Sequence, residues 1–487
     1  MKNNFFDKFT KYELDNHLFD IKFKDINIWE IMRTYIYIEI EQIMNSLQPL
    51  FPTSTEKKRK QFSIKILINS LKIFFVKNKD LIFLNNPRRV KQKNGKYYCK
   101  YTDPFIEIVK GRYSYITLED PYWSLSPSNT SSHFLPVETQ SICFLDAMEY
   151  MFRFKKYFFK KYNKKEYKKL QNILTQIRVK IENEFQCDLS NIFSVAEDKV
   201  LYMVLLKTNY EKIINRLKPK AILEFYDAFP SKILINKIAK DNNIPIIEIQ
   251  HGVVTRYNPI FLKYKDVNRK YYCTPDYVFS YGKKLLNCKN MPIAKNSIYY
   301  IGNVYLNSKK KGYEKLFLKS NKKNILFISQ SNLGKYISEF ASELANLLSD
   351  SPEYHIIYKM HPYEIGATYD CLNKTNITII NDRENDLYYY QSISIAQVGI
   401  YSTGIYEGLI FDLPTYIINN DYGTSEIKEI LGNEKGIYYI NDAKDVVDLL
   451  PKNKKINISN KYWQNIKNDK IVELLSSIVD ARKQCKK

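Results

Sequence analysis

The chain has 487 residues, with 75 Lys+Arg against 52 Asp+Glu and a formal net charge of +23. Its length suggests two or three domains, and 45% hydrophobic against 26% charged residues is enough for packed cores, which excludes wholesale disorder and collagen-like classes. Seven cysteines, an odd count with no C-x-x-C spacing, point to neither a disulfide framework nor a zinc site, so a reducing cytoplasm is the simpler reading.

Residues 1–60 read as an N-terminal helical extension, and the first twenty lack a signal-peptide apolar core. The runs Ile28–Leu47 and Phe62–Val76 are interrupted by Glu30, Arg33, Glu39 and Glu41, and by Lys65 and Lys72. They are expected to be amphipathic helices, not membrane spans. Residues 61–306 read as an N-terminal α/β domain, with strands at Leu81–Leu84 and Gln140–Leu145 and an irregular stretch over 87–136. Met151–Leu170 interleaves Phe152, Phe154, Phe158 and Phe159 with lysines. That pattern fits a helix lying on an anionic membrane, or a solvated charged face with its aromatics in the core. Short apolar runs at Ala221–Phe225, Ile244–Ile249, Tyr277–Ser280 and Tyr299–Ile301 alternate with helical spacing, as βαβ units do. The basic stretch 307–323 reads as a linker. A second β/α series fills 324–455, and 456–487 reads as a polar terminal helix. The expected fold class is α/β: two doubly wound Rossmann-like domains facing a cleft, with ligands at the carboxyl ends of the strands.

Glycine is uneven. Only Gly95 and Gly111 precede residue 250, and the other twelve lie between Gly252 and Gly436. Tight turns and close approach to a ligand need Gly, so the ligand site is expected in the second half.

Two of the five histidines directly follow predicted strands: His251 before Gly252, and His361 before Pro362. These are positions where a parallel α/β fold presents reactive groups. Lys359 lies two residues before His361, close enough to add positive charge. Ser402 is placed to cap a helix that begins at Thr403, whose N–H groups suit a phosphate. Gly399, Gly404 and Gly408 would permit close approach, and Glu407 lies one turn deeper to accept from ribose hydroxyls. Ser329 and Gln330 end the first strand of the second series. Glu224 and Asp227 end the strand at 221–225; either is a candidate base, and Asp227 is also a natural helix cap. There is no D-x-D, H-E-x-x-H, P-loop or G-x-G-x-x-G, so no metal site is expected. No RNP, zinc-finger or basic-zipper pattern appears, which argues against nucleic acid as the main partner.

The elements IEIQHG, PDYVFSYG, IGN from Ile301, ILFISQ, IYKMHPYE and VGIYSTGIYEGL follow one another over Ile247–Leu409. Their order and spacing resemble bacterial surface-polysaccharide glycosyltransferases of the GT-B fold. The pairs His361–Pro362 and Ser402–Thr403 resemble the HP and S/T-S/T motifs of bacterial sialyltransferases, polysialyltransferases and Kdo transferases. The QHG element is more similar to teichoic-acid CDP-glycerol glycerophosphotransferases. The resemblance implies an inverting, metal-independent transfer of an acidic sugar from a CMP-linked donor to a glycan or lipid-linked glycan, with no further cofactor. It gives His361, Ser402 and Thr403 to the donor phosphate, Glu407 to the ribose, and His251 to the acceptor side as base or binding group. The acid-acid-Gly motif of sialyltransferases is absent, which leaves Glu224 and Asp227 as the nearest carboxylates. Polyol-phosphate transfer, a UDP-, GDP- or dTDP-sugar, and a non-catalytic basic binding protein remain alternatives. The expected location is cytoplasmic, in peripheral contact with the anionic inner face of the membrane.

Overall fold

The computed structural model describes residues 2–44, 68, 70–85, 89–92, 94–119, 141–225, 230–255, 271–272, 274–286, 291–313, 322–330, 333–362, 364, 366–381, 385–420, 424–450 and 457–484. One sheet contains β1 (Leu81–Asn85), β2 (Tyr115–Glu119), β3 (Ile142–Phe144), β4 (Ala221–Glu224), β5 (Ile246–Ile249), β6 (Tyr277–Ser280) and β7 (Ile298–Tyr300). A second contains β8 (Lys323–Ile328), β9 (Tyr354–Lys359), β10 (Ile377–Ile380), β11 (Ser394–Gly399), β12 (Thr415–Ile418) and β13 (Ile437–Ile440). All neighbouring strands in both sheets run parallel.

The spatial orders are β7-β6-β5-β4-β1-β2-β3 and β10-β9-β8-β11-β12-β13. Counted from its own first strand, each sheet runs 3-2-1-4-5-6, and the first carries a seventh strand. This is the doubly wound order, in which the chain reverses direction across the sheet between strands 1 and 4. The two switch points therefore lie between β1 and β4 and between β8 and β11. Strands β1, β4, β5 and β12 are buried at every residue, because helices cover both faces of a parallel sheet. The expected pair of doubly wound domains is present.

The N-terminal helices α1 (Lys2–Asp15) and α2 (Ile28–Met44) join the first domain's core. Phe9, Trp29 and Tyr37 pack there with Phe185. The charges that interrupt α2 are used inside the protein. Arg33 Nη2 donates to Glu13 Oε2 at 3.0 Å, Trp29 Nε1 donates to Glu13 Oε1 at 2.7 Å, and Glu30 accepts from the Tyr272 N–H at 2.7 Å. Further helices are α3 (Asp103–Val109), α4 (Asp146–Tyr162), α5 (Lys164–Phe185), α6 (Ser190–Leu217), α7 (Pro230–Asp241), α8 (Val304–Tyr313), α9 (Gly334–Leu347), α10 (Thr403–Gly408) and α11 (Asn468–Gln484).

Three expectations need correction. The basic aromatic stretch Met151–Leu170 is not one helix, because Asn163 leaves helical geometry between α4 and α5. The stretch 307–323, read as a linker, is helical as far as Tyr313. The terminal helix is amphipathic: Ile471, Leu475 and Ile478, spaced i, i+4, i+7, pack with Leu81, Phe83 and Leu223 of the first sheet. Among the described residues, no helix is long and apolar enough to cross a membrane.

Candidate active site

In the C-terminal domain the ends of β8, β9 and β11 are tied together at the switch point. Glu364, three residues past His361, is buried. Its Oε1 accepts from Ser329 Oγ at 2.8 Å and Tyr369 OH at 2.6 Å, and its Oε2 accepts from the His361 backbone N–H. Gly334 makes room for this arrangement, since a Cβ there would lie 1.9 Å from Glu364 Oε1 and 2.1 Å from Tyr369 OH. Gln330 Oε1 accepts from the Tyr401 N–H at 3.1 Å and so links β8 to the loop after β11. Burial lowers the His361 imidazole below its ordinary value, against an opposing pull from Glu364. Pro362 is exposed beside His361, and Lys359 ends β9 with its ammonium 5.8 Å from the Tyr390 ring.

Ser402 caps α10 as expected, accepting from the Gly404 N–H at 3.3 Å. Thr403 is exposed on the first turn. The helix is six residues long and continues as a 3-10 turn, Leu409–Phe411, so its dipole is short. The glycines here have a packing role within the domain. An added Cβ would lie 2.8 Å from Ile405 Cδ1 at Gly399, 2.6 Å from Leu387 Cδ2 at Gly404 and 2.0 Å from Gln397 Oε1 at Gly408. They let α10 seat closely on the sheet. Gln397 Nε2 holds that seat by donating to Ile405 O at 2.7 Å and Thr415 Oγ1 at 2.9 Å.

In the N-terminal domain the loop after β5 is set by Gln250, which is fully buried and uses all its hydrogen-bonding capacity. Its amide donates to Gly252 O and Leu285 O, each at 2.7 Å, and its oxygen accepts from Ser280 Oγ and the Tyr281 N–H, each at 2.8 Å. His251 follows, with Nδ1 3.6 Å from Glu248 Oε1. Its ring meets Tyr101 edge-on at 6.1 Å and lies 6.2 Å from Phe225. Glu224, one of the two carboxylate base candidates, faces its own domain's interior. It is buried, and its Oε1 accepts from Asn236 Nδ2 of α7 at 2.7 Å. Burial raises its carboxyl pKa, while the Lys232 ammonium opposes that shift. Asp227 lies outside the described residues.

One short turn brings the two domains together. Asp103 Oδ2 accepts from the Cys99 N–H at 2.8 Å and closes the turn that starts α3. Burial pushes the Asp103 carboxyl up to about 7, although Arg89 lies 3.8 Å away. The turn presents Lys100 and Tyr101. Tyr101 meets His251, as above, and its ring is 4.6 Å from Phe225. Lys100 Nζ lies 3.6 Å from Glu407 Oε1, which also accepts from Tyr388 OH at 3.1 Å. Burial opposes the charge on Lys100, but Glu407 holds its ammonium well above the ordinary value. Glu407, expected at the ribose, thus forms an interdomain ion pair. Sequence reasoning passed over Lys100 and Tyr101 because they sit in the stretch 87–136, which has no period. The Thr102-Asp103-Pro104 helix start was the available signal.

Among the described residues, no group of three or more His, Cys, Asp or Glu is placed to hold a metal ion. No family model matches the chain, and no curated protein matches it. Solved structures similar to it include UDP-GlcNAc 2-epimerase from Methanocaldococcus jannaschii, at 11% identity over 82% of this chain and 99% of that one, with a TM-score of 0.47. The wall teichoic acid polymerase TagF is 12% identical over 93% of this chain and 92% of that one, with a TM-score of 0.41. MurG from Acinetobacter baumannii is 10% identical over 82% of this chain and 99% of that one, with a TM-score of 0.45. At such identities and scores these likenesses carry no weight for function.

Proposed function

We propose that the chain is an inverting glycosyltransferase that uses a nucleotide-activated donor in the cleft between its two domains. The observation that carries this reading is the Lys100–Tyr101 turn. Its consecutive side chains contact His251, after β5 of one domain, and Glu407, on α10 of the other, so a single turn links a histidine of the first domain to a carboxylate of the second. The donor we favour is a CMP-linked acidic sugar, and the acceptor a bacterial surface glycan or its lipid-linked precursor.

In this mechanism His251 takes the acceptor hydroxyl's proton, with Glu248 stabilising the imidazolium that forms. The acceptor oxygen bonds to the anomeric carbon as the bond from that carbon to the phosphate oxygen breaks. CMP leaves with the bonding pair and a growing negative charge. His361, Lys359, Ser402 and Thr403 meet that charge by electrostatic preorganisation. Glu407 receives the ribose hydroxyls once Lys100 is displaced. No metal takes part, so a chelator is expected to leave turnover unchanged.

The test begins with thermal shifts from CMP, CDP, UMP, UDP, GDP and dTDP, where a ligand at 100 times its Kd adds about 2.7 kcal/mol. CMP is expected to give the largest shift. His251→Ala is expected to lower donor-dependent turnover by about a hundredfold or more while the nucleotide shift persists. Wild-type turnover in that variant would remove His251 from the reaction. A second reading, polyol-phosphate transfer from a CDP-linked donor, is favoured by the fully bonded Gln250 that presents His251, because the QHG element resembles that class. A phosphodiester in the product, seen by mass spectrometry, would select it.

A further inference from the structure

The basic aromatic segment of the first domain takes no part in the cleft described above. Of its aromatics, Phe152 and Phe159 enter the core. Phe154, Tyr157, Phe158 and Tyr162 remain 66%, 61%, 39% and 65% exposed. Their spacing places them on one face of α4, and their rings touch in a row. Centroids lie 4.6 Å apart for Phe154–Phe158, 5.4 Å for Tyr157–Phe158 and 5.8 Å for Phe158–Tyr162.

The lysines divide the same way. Lys155, Lys156 and Lys160 turn inward to α6: Lys155 donates to Leu205 O at 2.9 Å, Lys156 pairs with Asp198, and Lys160 pairs with Glu197 at 2.8 Å. Lys164, Lys165, Lys168 and Lys169, on the start of α5, are exposed. Across Asn163–Gln176 the only acidic residue is Glu166. The helix break at Asn163 thus joins an exposed aromatic row to an exposed, one-signed basic turn.

We infer that this face is a docking surface for an anionic phospholipid bilayer. It gives the membrane contact expected from the sequence a location, and it holds whichever donor the cleft uses. A bilayer needs two signals for stable peripheral binding, and both are present. Aromatic edges suit the boundary between headgroups and acyl chains, and lysines are drawn to acidic headgroups. Single-stranded nucleic acid also combines basic and aromatic contacts, but each base needs a free ring face to stack on. Here Phe158 touches three other rings and lies 13° from parallel with Tyr162, so it does not stand as a separate open platform for a base, whereas a row of touching rings offers a continuous apolar edge to a bilayer.

The test is vesicle flotation of the full chain, read without catalysis. Wild type is expected to float with phosphatidylglycerol/phosphatidylcholine vesicles and not with phosphatidylcholine alone. Combined Lys164→Gln, Lys165→Gln and Lys168→Gln should weaken partitioning about a hundredfold. Combined Phe154→Ser and Phe158→Ser should weaken it about tenfold or more. A charge-matched control, Lys323→Gln, Lys335→Gln and Lys470→Gln in distant exposed positions, should float like wild type. All three variants change exposed side chains, and each is checked for a wild-type urea midpoint. Four results would overturn the inference: no flotation of wild type, equal flotation with neutral vesicles, equal loss in the control, or displacement of the vesicles by a single-stranded oligonucleotide that binds more tightly.

Discussion

The two domains share a strand order but secure their switch points by different chemistry. At the C-terminal one, a single buried carboxylate, Glu364, accepts from a serine hydroxyl, a tyrosine hydroxyl and a backbone N–H, while Gln330 and Gln397 tie the remaining ends. At the N-terminal one, ionic side chains are buried together. Arg89 and Glu119 side chains are each 1% exposed and 2.7 Å apart, with Asp103 3.8 Å from Arg89. Burial raises the Glu119 carboxyl pKa, and Arg89 opposes that shift. Asn85, fully buried at the end of β1, makes no side-chain hydrogen bond among the described residues. One switch point is saturated and mostly neutral. The other depends on compensation between charges and leaves polar capacity over. In the function proposed above, the first would suit rigid placement of a donor phosphate, and the second an acceptor rich in hydroxyls.

The sharpest way to break this contrast is Arg89→Met. It leaves Glu119 buried without its cation and should cost about 3–5 kcal/mol in urea unfolding. Adding Glu119→Gln should recover most of that loss. A cost near zero for the single variant would mean the two switch points do not differ in kind. In the other domain Gly408→Ala drives a methyl toward Gln397 Oε1, and it should cost about 1–3 kcal/mol by overpacking. A neutral result there would show that the helix seat is not close-fitting.

A smaller effect is expected where the domains meet. Lys100→Met removes a bridge whose side chains are 29% and 10% exposed, so the stability change should stay within about 1 kcal/mol. Nucleotide should bind up to about fivefold more tightly, because ribose no longer competes with an ammonium for Glu407. Weaker binding would instead assign Lys100 to the donor phosphate.

The smallest effect is in pH dependence. The folded pKa of His361 lies below its ordinary 6.5, so the unfolded chain binds more protons as pH falls. Its contribution is complete above 6.5 and is lost as pH falls from there toward the folded value. His361→Gln should therefore flatten the acid side of a plot of thermal midpoint against pH. His355, also lowered by burial, remains to supply the residual slope. An unchanged profile would mean that His361 is not desolvated in solution.

The two halves were not equally legible. The C-terminal network joins residues whose chemistry lies within short motifs. Ser402 and the helix starting at Thr403 were readable because a cap acts over three residues. His251 and His361 were readable because each follows an apolar run that ends in Gly or Pro. Glu364 stood inside the quoted motif, but its partners lie up to 35 residues away, so its role did not show. Arg89 and Glu119 are 30 residues apart in a stretch without period, and no local pattern links them.

By itself the sequence determined the alternation of strand and helix, the number of α/β domains, the capped turn at Ser402 and the surplus of positive charge. These follow from short-range periodicity and local hydrogen bonding, which act over a few residues. Tertiary structure alone decided that Lys100 meets Glu407, that Glu224 is used inside its own domain, and that Phe154 and Phe158 face out while Phe152 and Phe159 face in. Those outcomes depend on which groups lose their water when distant elements pack. Desolvation sets both the cost of a buried charge and the partner that offsets it.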